Sequence, residues 1–192
     1  MKSILILSAA TLFVGSAAVQ ALDLSATEQD NNNPLNGSSW FNSDPNELFR
    51  ANELSLDAFA AVAGDGRRHD DDFGYHHHDV RGGGGGGLEY FFCRYIGIEA
   101  ESFALANHDS TVSAVGGNLV LRLPIGQTGF SPYIFGGGGS EFASRSEGYG
   151  DGGAGLEFRF SRSFSIFGDG RFADPTHSRN YGMGRLGVKF TF

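Results

Sequence analysis

The chain has 192 residues, a formal net charge of −8, 30 glycines, 13% aromatic residues and one cysteine, Cys93. The acidic balance argues against nucleic acid as a partner, because phosphate binding needs a basic face, and a lone cysteine excludes an internal disulfide. A chain rich in glycine and aromatics with no disulfide is unusual for a soluble domain but common among β-barrels that pack tightly and face lipid.

The N-terminus reads as an export signal. Lys2 supplies the positive end, residues 4–14 are an apolar run too short to span a bilayer as a helix, and Ala18, Val19, Gln20 and Ala21 give a small-x-small site. Cleavage after Ala21 is predicted, with no cysteine there to carry a lipid anchor. Removing residues 1–21 takes away Lys2 alone among the charged side chains, leaving 13 basic and 22 acidic residues, a net charge of −9. Residues 22–51 are rich in Asn, Ser, Asp and Glu and read as a flexible polar segment. Within it, Trp40 and Phe41 are either a docking pair for the barrel end or membrane interface, or an isolated loop pair.

From residue 52 the hydrophobic period switches to two, the signature of strands. Eight segments follow. The first sets Leu54, Leu56, Ala58, Ala60 and Val62 against Ser55, Asp57 and Phe59. The second leaves a glycine run at 82–87, read as a loop-to-strand junction, and sets Leu88, Tyr90 and Phe92 against Glu89 and Phe91. The third sets Ile96, Ile98 and Ala100 against Glu99, Glu101 and Phe103, and the fourth Leu119, Leu121 and Leu123 against Asn118, Val120 and Arg122. The fifth, 130–142, is the least regular: Ile134 and Phe142 oppose Tyr133, Phe135 and Glu141, and residues 136–139 leave room for a bulge. The sixth opposes Leu156, Phe158 and Phe160 to Glu157 and Arg159, and the seventh Phe164, Ile166 and Phe172 to Asp169 and Arg171. The eighth, 181–192, places Leu186, Val188, Phe190 and Phe192 opposite Arg185, Lys189 and Thr191.

Each segment has about the ten residues a tilted strand needs to cross a bilayer. The connections alternate as well. Short turns are predicted at 93–95, 126–128 and 161–163, and longer polar loops at 64–81, 107–112, 143–150 and 174–180. Short turns on one side and long loops on the other are the plan of a membrane barrel with both ends on the short-turn side.

Gly-Leu-Glu-Tyr-Phe-Phe (87–92), Asn-Leu-Val-Leu-Arg-Leu-Pro (118–124), Pro-Tyr-Ile-Phe-Gly-Gly-Gly-Gly (132–139), Gly-Ala-Gly-Leu-Glu-Phe-Arg-Phe (153–160) and Arg-Leu-Gly-Val-Lys-Phe-Thr-Phe (185–192) give the chain its likeness. Over residues 52–192 it resembles small outer-membrane β-barrel proteins of the OmpA/OmpX-like kind. The resemblance implies an all-β, eight-stranded antiparallel up-and-down transmembrane β-barrel, and a final strand whose Phe190 and Phe192 carry the signal read by the barrel-insertion machinery. Two-domain relatives add a peptidoglycan-binding domain after the barrel, and no wall anchor of that kind is expected here.

The alternation turns one set of charged residues inward: Asp57, Glu89, Glu99, Glu101, Arg122, Glu141, Glu157, Arg159, Asp169, Arg171, Arg185 and Lys189. An eight-stranded barrel is just wide enough for its own side chains, so these charges must pair. The expectation is a salt-bridged plug, with a small gated channel as the alternative. Inward glycines such as Gly137, Gly139, Gly153 and Gly155 are expected to make room for the arginines. The 82–87 run is not a phosphate cradle, since no helix with Lys and Ser/Thr follows.

All six histidines fall in predicted outer loops. His76, His77, His78 and Asp79 supply metal-ligating types, without a spacing that fixes geometry. His108 with Ser110, or His177 with Ser178, offer the residue types of a lipid-modifying enzyme but no visible orienting partner. The chain is therefore read as a non-enzymatic, cofactor-free, monomeric barrel. It is expected in the outer membrane of a diderm bacterium, meeting lipid, the insertion machinery and an extracellular partner reached through acidic, His-rich loops. A soluble exported barrel remains the third reading.

Overall fold

The computed structural model describes residues 47–65, 80–107, 111–126, 128–142 and 146–192. The export signal, nearly all of the polar segment and the His76–Asp79 quartet lie outside them, as do His108 and Ser110. Eight strands follow in chain order: β1 (Glu53–Asp65), β2 (Val80–Phe91), β3 (Ile96–Ala106), β4 (Thr111–Arg122), β5 (Phe130–Phe142), β6 (Ser146–Ser161), β7 (Phe164–Pro175) and β8 (Tyr181–Thr191). Each pairs antiparallel with the next, and β1 pairs with β8 to close the barrel. Closure leaves no edge strand, so every wall strand has a partner on both sides for its backbone donors and acceptors. The seam carries a side-chain bond too, between the hydroxyls of Ser55 and Thr191 at 2.9 Å. No helix among the described residues is long and apolar enough to cross a membrane.

The inside–outside alternation matches the sequence pattern. Leu56, Leu88, Ile98, Leu119, Ile134, Leu156, Leu186 and Phe190 are exposed on the outer wall. The inner wall holds Phe59, Phe103, Tyr149, Phe167, Tyr181 and Met183 in one apolar cluster, and Phe91, Val120 and Phe135 in a second.

Three differences from the sequence reading concern strand extent. Residues 82–87 are not a junction: they are fully paired inside β2, from Gly87 opposite Asp57 to Gly82 opposite Val62. Residues 136–139 hide no bulge, because β5 keeps one register with both neighbours. The register shift lies between Arg159 and Ser161, next to the β6–β7 turn. The strands also outrun their apolar residues. Gly148, Tyr149 and Gly150 pair with Ser140, Gly139 and Gly138, so residues 146–150 of the expected loop are strand. Residues 123–129, by contrast, form a longer β4–β5 connection than the predicted turn. Loop length is thus a weaker guide to orientation than it looked, although the ends of the sheet do lie beside the turns at 92–95 and 162–163.

Glycine's role in the wall is also specific. Phe167 is paired with Gly187, Tyr133 with Gly155, Phe135 with Gly153 and Phe91 with Gly97. A Cβ at Gly187 would sit 2.7 Å from the Phe167 ring, one at Gly155 2.6 Å from the Tyr133 ring, and one at Gly97 2.8 Å from the Phe91 ring. Gly153 and Gly155 therefore seat aromatic rings, where the sequence suggested room for arginines. Gly137 and Gly139 instead lie close under the backbone carbonyls of Gly117 and Val115. A ring lying flat across the neighbouring strand fills a narrow lumen without forcing the wall apart.

Candidate functional site

The barrel interior holds a column of charged side chains arranged in tiers. At the short-turn end, Glu53 sits between two guanidinium groups, with Arg122 Nη2 at 2.8 Å and Arg159 Nη1 at 2.9 Å. Arg159 Nε also donates to Glu157 at 2.8 Å, and Arg122 Nε to the Arg94 carbonyl at 2.8 Å. Both guanidinium groups are almost fully buried. The Arg122 guanidinium lies 3.5 Å from the Phe91 ring centroid, a cation–π contact that offsets part of its desolvation.

In the next tier Lys189 Nζ bonds Glu89 at 2.5 Å and Glu157 at 3.3 Å. Asp57 is paired with Lys189 in the β1–β8 ladder, yet both its carboxylate oxygens are buried without a hydrogen-bond partner among the described residues. In the upper tier Arg185 grips Asp169 through Nε and Nη2 at 2.8 and 2.9 Å, reaches Glu101 at 2.5 Å and lies 3.6 Å from Glu99. Arg171 holds Glu101 through both terminal nitrogens and lies 2.8 Å from Asp151, an ion contact without hydrogen-bond alignment. Tyr133 donates to Asp169 at 2.7 Å, and Asn118 Nδ2 to Glu99 at 3.1 Å. Glu141, nearer the loop end, accepts from the Tyr181 hydroxyl at 2.5 Å.

The register explains why cations and carboxylates interleave. Glu89 on β2 stands directly opposite Glu99 on β3, and two like charges facing each other repel. Lys189 and Arg185, entering from β8, each approach one of them. Buried charges cost several kcal/mol each unless paired, and the tiers place a partner beside most of them. Arg185 is also framed by the rings of Phe59 and Phe135, at 4.8 and 5.3 Å from their centroids.

All twelve inward residues expected from the alternation thus lie on the inner wall, and their contacts are those just given. The sequence reading missed Glu53, Asp151 and the tyrosine hydroxyls. Glu53 was legible: it continues the inward alternation of Ser55 and Asp57 but precedes the first apolar residue, Leu54. Asp151 lies just past the loop predicted at 143–150, among glycines that precede the alternation beginning at Leu156.

At the outer rim, Ser178 Oγ donates directly to the Glu147 carboxylate, and the His177 backbone amide donates to it at 2.9 Å. The His177 ring is mostly exposed, with Nδ1 4.0 Å from Glu147. The hydroxyl is therefore bound to the Glu147 carboxylate rather than to the imidazole. Among the described residues no three His, Cys, Asp or Glu side chains converge on a metal position.

A closed eight-strand antiparallel wall, greasy outside and ionised within, is an up-and-down transmembrane β-barrel. Solved structures share this fold. The N-terminal β-barrel domain of Pseudomonas aeruginosa OprF aligns with a TM-score of 0.54 at 15% identity, over 74% of this chain and 99% of that one. Neisserial surface protein A aligns with a TM-score of 0.56 at 11% identity, over 73% and 96%. Ail, the attachment invasion locus protein of Yersinia pestis, aligns with a TM-score of 0.55 at 18% identity, over 74% and 99%. No protein-family model matches the chain, and no curated protein matches it in sequence.

Proposed function

We propose that the chain is a monomeric barrel of the outer membrane of a diderm bacterium, with a structural and surface-interactive role and a lumen that does not conduct. The observation that supports this is the interior: among the described residues, paired charges from Glu53 to Asp151 share it with a cluster of buried rings that includes Phe59, Phe103 and Phe167. Outer-membrane placement is supported by the fold shared with OprF, NspA and Ail and by the apolar outer wall. The C-terminal Phe190 and Phe192 are the segment we assign to the insertion machinery, and the loops to an extracellular partner. No catalytic role is proposed for the rim, given how Ser178 is bound.

Membrane fractionation combined with heat-modifiable gel mobility tests the reading. A closed outer-membrane barrel partitions with outer membranes and migrates differently before and after boiling. Recovery in the soluble fraction without detergent refutes it. A channel would instead give ion conductance in planar bilayers that changes when Arg185 or Lys189 is neutralised.

A further inference from the structure

The segment before β1 is not a free tail. Phe49 is 2% exposed, and its ring packs against two interior cations, with the Arg159 guanidinium 4.3 Å and the Arg122 guanidinium 5.0 Å from its centroid. The backbone on either side is held by the same two groups: Arg159 Nη1 donates to the Leu48 carbonyl at 2.7 Å, and Arg122 Nη2 to the Arg50 carbonyl at 2.9 Å. The Arg50 amide donates to Glu53 at 3.0 Å, and Glu47 pairs with Arg94 at 2.6 Å. Asn52, at φ 56°, takes the left-handed turn between this segment and β1.

Arg122 comes from β4 and Arg159 from β6, so the segment crosses from the start of β1 toward the far side of the mouth. Its grip reads backbone carbonyls and one aromatic ring. That is how an extended peptide is recognised: main-chain hydrogen bonds give affinity and a pocket for one side chain gives specificity. The guanidinium atoms Arg122 Nη1 and Arg159 Nη2 are buried and keep no acceptor among the described residues. Two cations this close need what the peptide brings, a ring face and two carbonyl dipoles.

We propose that the short-turn mouth of the barrel, built from Glu53, Phe91, Arg94, Arg122 and Arg159, is a peptide-binding site occupied in cis by residues 47–50, with Phe49 as its anchor. The occupied site is a strap that seals this end of the lumen and fixes the point at which the N-terminal segment leaves the barrel. This goes beyond the membrane and surface role above and does not depend on it, because the site is read in the isolated, refolded protein.

Cys93, the single cysteine, is buried and adjoins Arg94, which pairs with Glu47 of the strap, so its thiol is expected to become accessible when the strap opens. The experiment is maleimide labelling of Cys93 in the full mature chain refolded in detergent, together with hydrogen exchange of the amides of residues 49–52. Phe49→Ala is expected to speed labelling about tenfold or more, as loss of local stability opens the segment without unfolding the barrel. The amide of Arg50 should lose protection in the same variant. Phe49→Tyr, which keeps a ring against the two guanidinium groups, should stay slow. Leu186→Ala on the outer wall controls for general destabilisation and should leave both readouts near the parent rate. Every variant must still run as a closed barrel on an unboiled gel; if Phe49→Ala does not, Phe49→Leu replaces it and is expected to give a smaller rise in the same direction. Labelling and exchange unchanged in the alanine or leucine variant, or raised equally by Leu186→Ala, would overturn the proposal.

Discussion

Lys189 on β8 and Glu89 on β2 meet at 2.5 Å although β1 lies between their strands. The pair spans the strand that closes the barrel, so it forms fully only once β1 has joined both neighbours. Glu157 on β6 shares the same ammonium at 3.3 Å, reaching it across β7 from the other side of β8. Replacing Lys189 by Met leaves Glu89 buried without its cation. Breaking one side of a buried pair costs about 3–5 kcal/mol, mostly as the stranded partner's desolvation. Denaturant unfolding from detergent micelles should show Lys189→Met destabilised by that order. Lys189→Met combined with Glu89→Gln should be milder than the single change, because the uncompensated charge is gone. A double variant as unstable as the sum of its singles would mean that the two groups are not coupled.

The ring-over-glycine pairs make a separate prediction. Gly187→Ala and Gly155→Ala force a methyl group against the Phe167 and Tyr133 rings at 2.7 and 2.6 Å. Overpacking of this kind typically costs about 1–3 kcal/mol. Gly170 and Gly182 face outward, and a Cβ on either meets nothing within 4 Å. Alanine there should be neutral or slightly stabilising, since it reduces the freedom of the unfolded chain. Unfolding midpoints for the four variants check the contrast, which fails if the inward and outward pairs shift alike.

The same glycines mark where sequence reading stops. Leu54 to Val62, Leu88 to Phe92 and Leu186 to Phe192 are legible as strands because large and charged residues alternate on a two-residue period. A run such as 82–87 has no side chains to alternate, so its strand is fixed only by pairing with residues 57–62 and 101–106. Ser146 to Asp151 carry turn-like composition, yet the ladder from β5 and β7 holds them extended. The inward charges follow from parity alone, whereas their partners do not: Arg171 meets Glu101, seventy positions away, and nothing local announces it. Leu48 and Phe49 are two apolar residues without a period, and their seat exists only because Arg122 and Arg159 arrive from distant strands.

The outer wall can be tested by charge. Leu186 is 69% exposed and faces outward in the middle of β8, between Ala60 and Gly168. An arginine on the lipid face near the bilayer midplane costs about 2–4 kcal/mol, falling toward zero at the interfaces. Leu186→Arg should therefore destabilise the barrel in lipid vesicles by that amount, and Phe192→Arg, at the strand's end, by much less. Leu186→Arg equal in stability to the parent in vesicles would show that this face does not meet hydrocarbon.

Phe190 and Phe192 separate assembly from stability. Phe190 is packed against Phe164 with ring centroids 5.2 Å apart, whereas Phe192 is 71% exposed and bonds through its amide to the Leu54 carbonyl at 2.9 Å. Deleting the Phe192 ring removes little buried surface, so Phe192→Ala should change the stability of refolded protein by no more than about 0.5 kcal/mol, the range of surface substitutions. Phe190→Ala loses a ring contact worth about 0.5–1.5 kcal/mol beyond its area and should be measurably less stable. If the terminal ring is what the insertion machinery reads, Phe192→Ala will nonetheless assemble poorly in cells and accumulate as a heat-unmodifiable species. Assembly yields that track refolded stability, with Phe190→Ala impaired and Phe192→Ala normal, would assign both rings to packing instead.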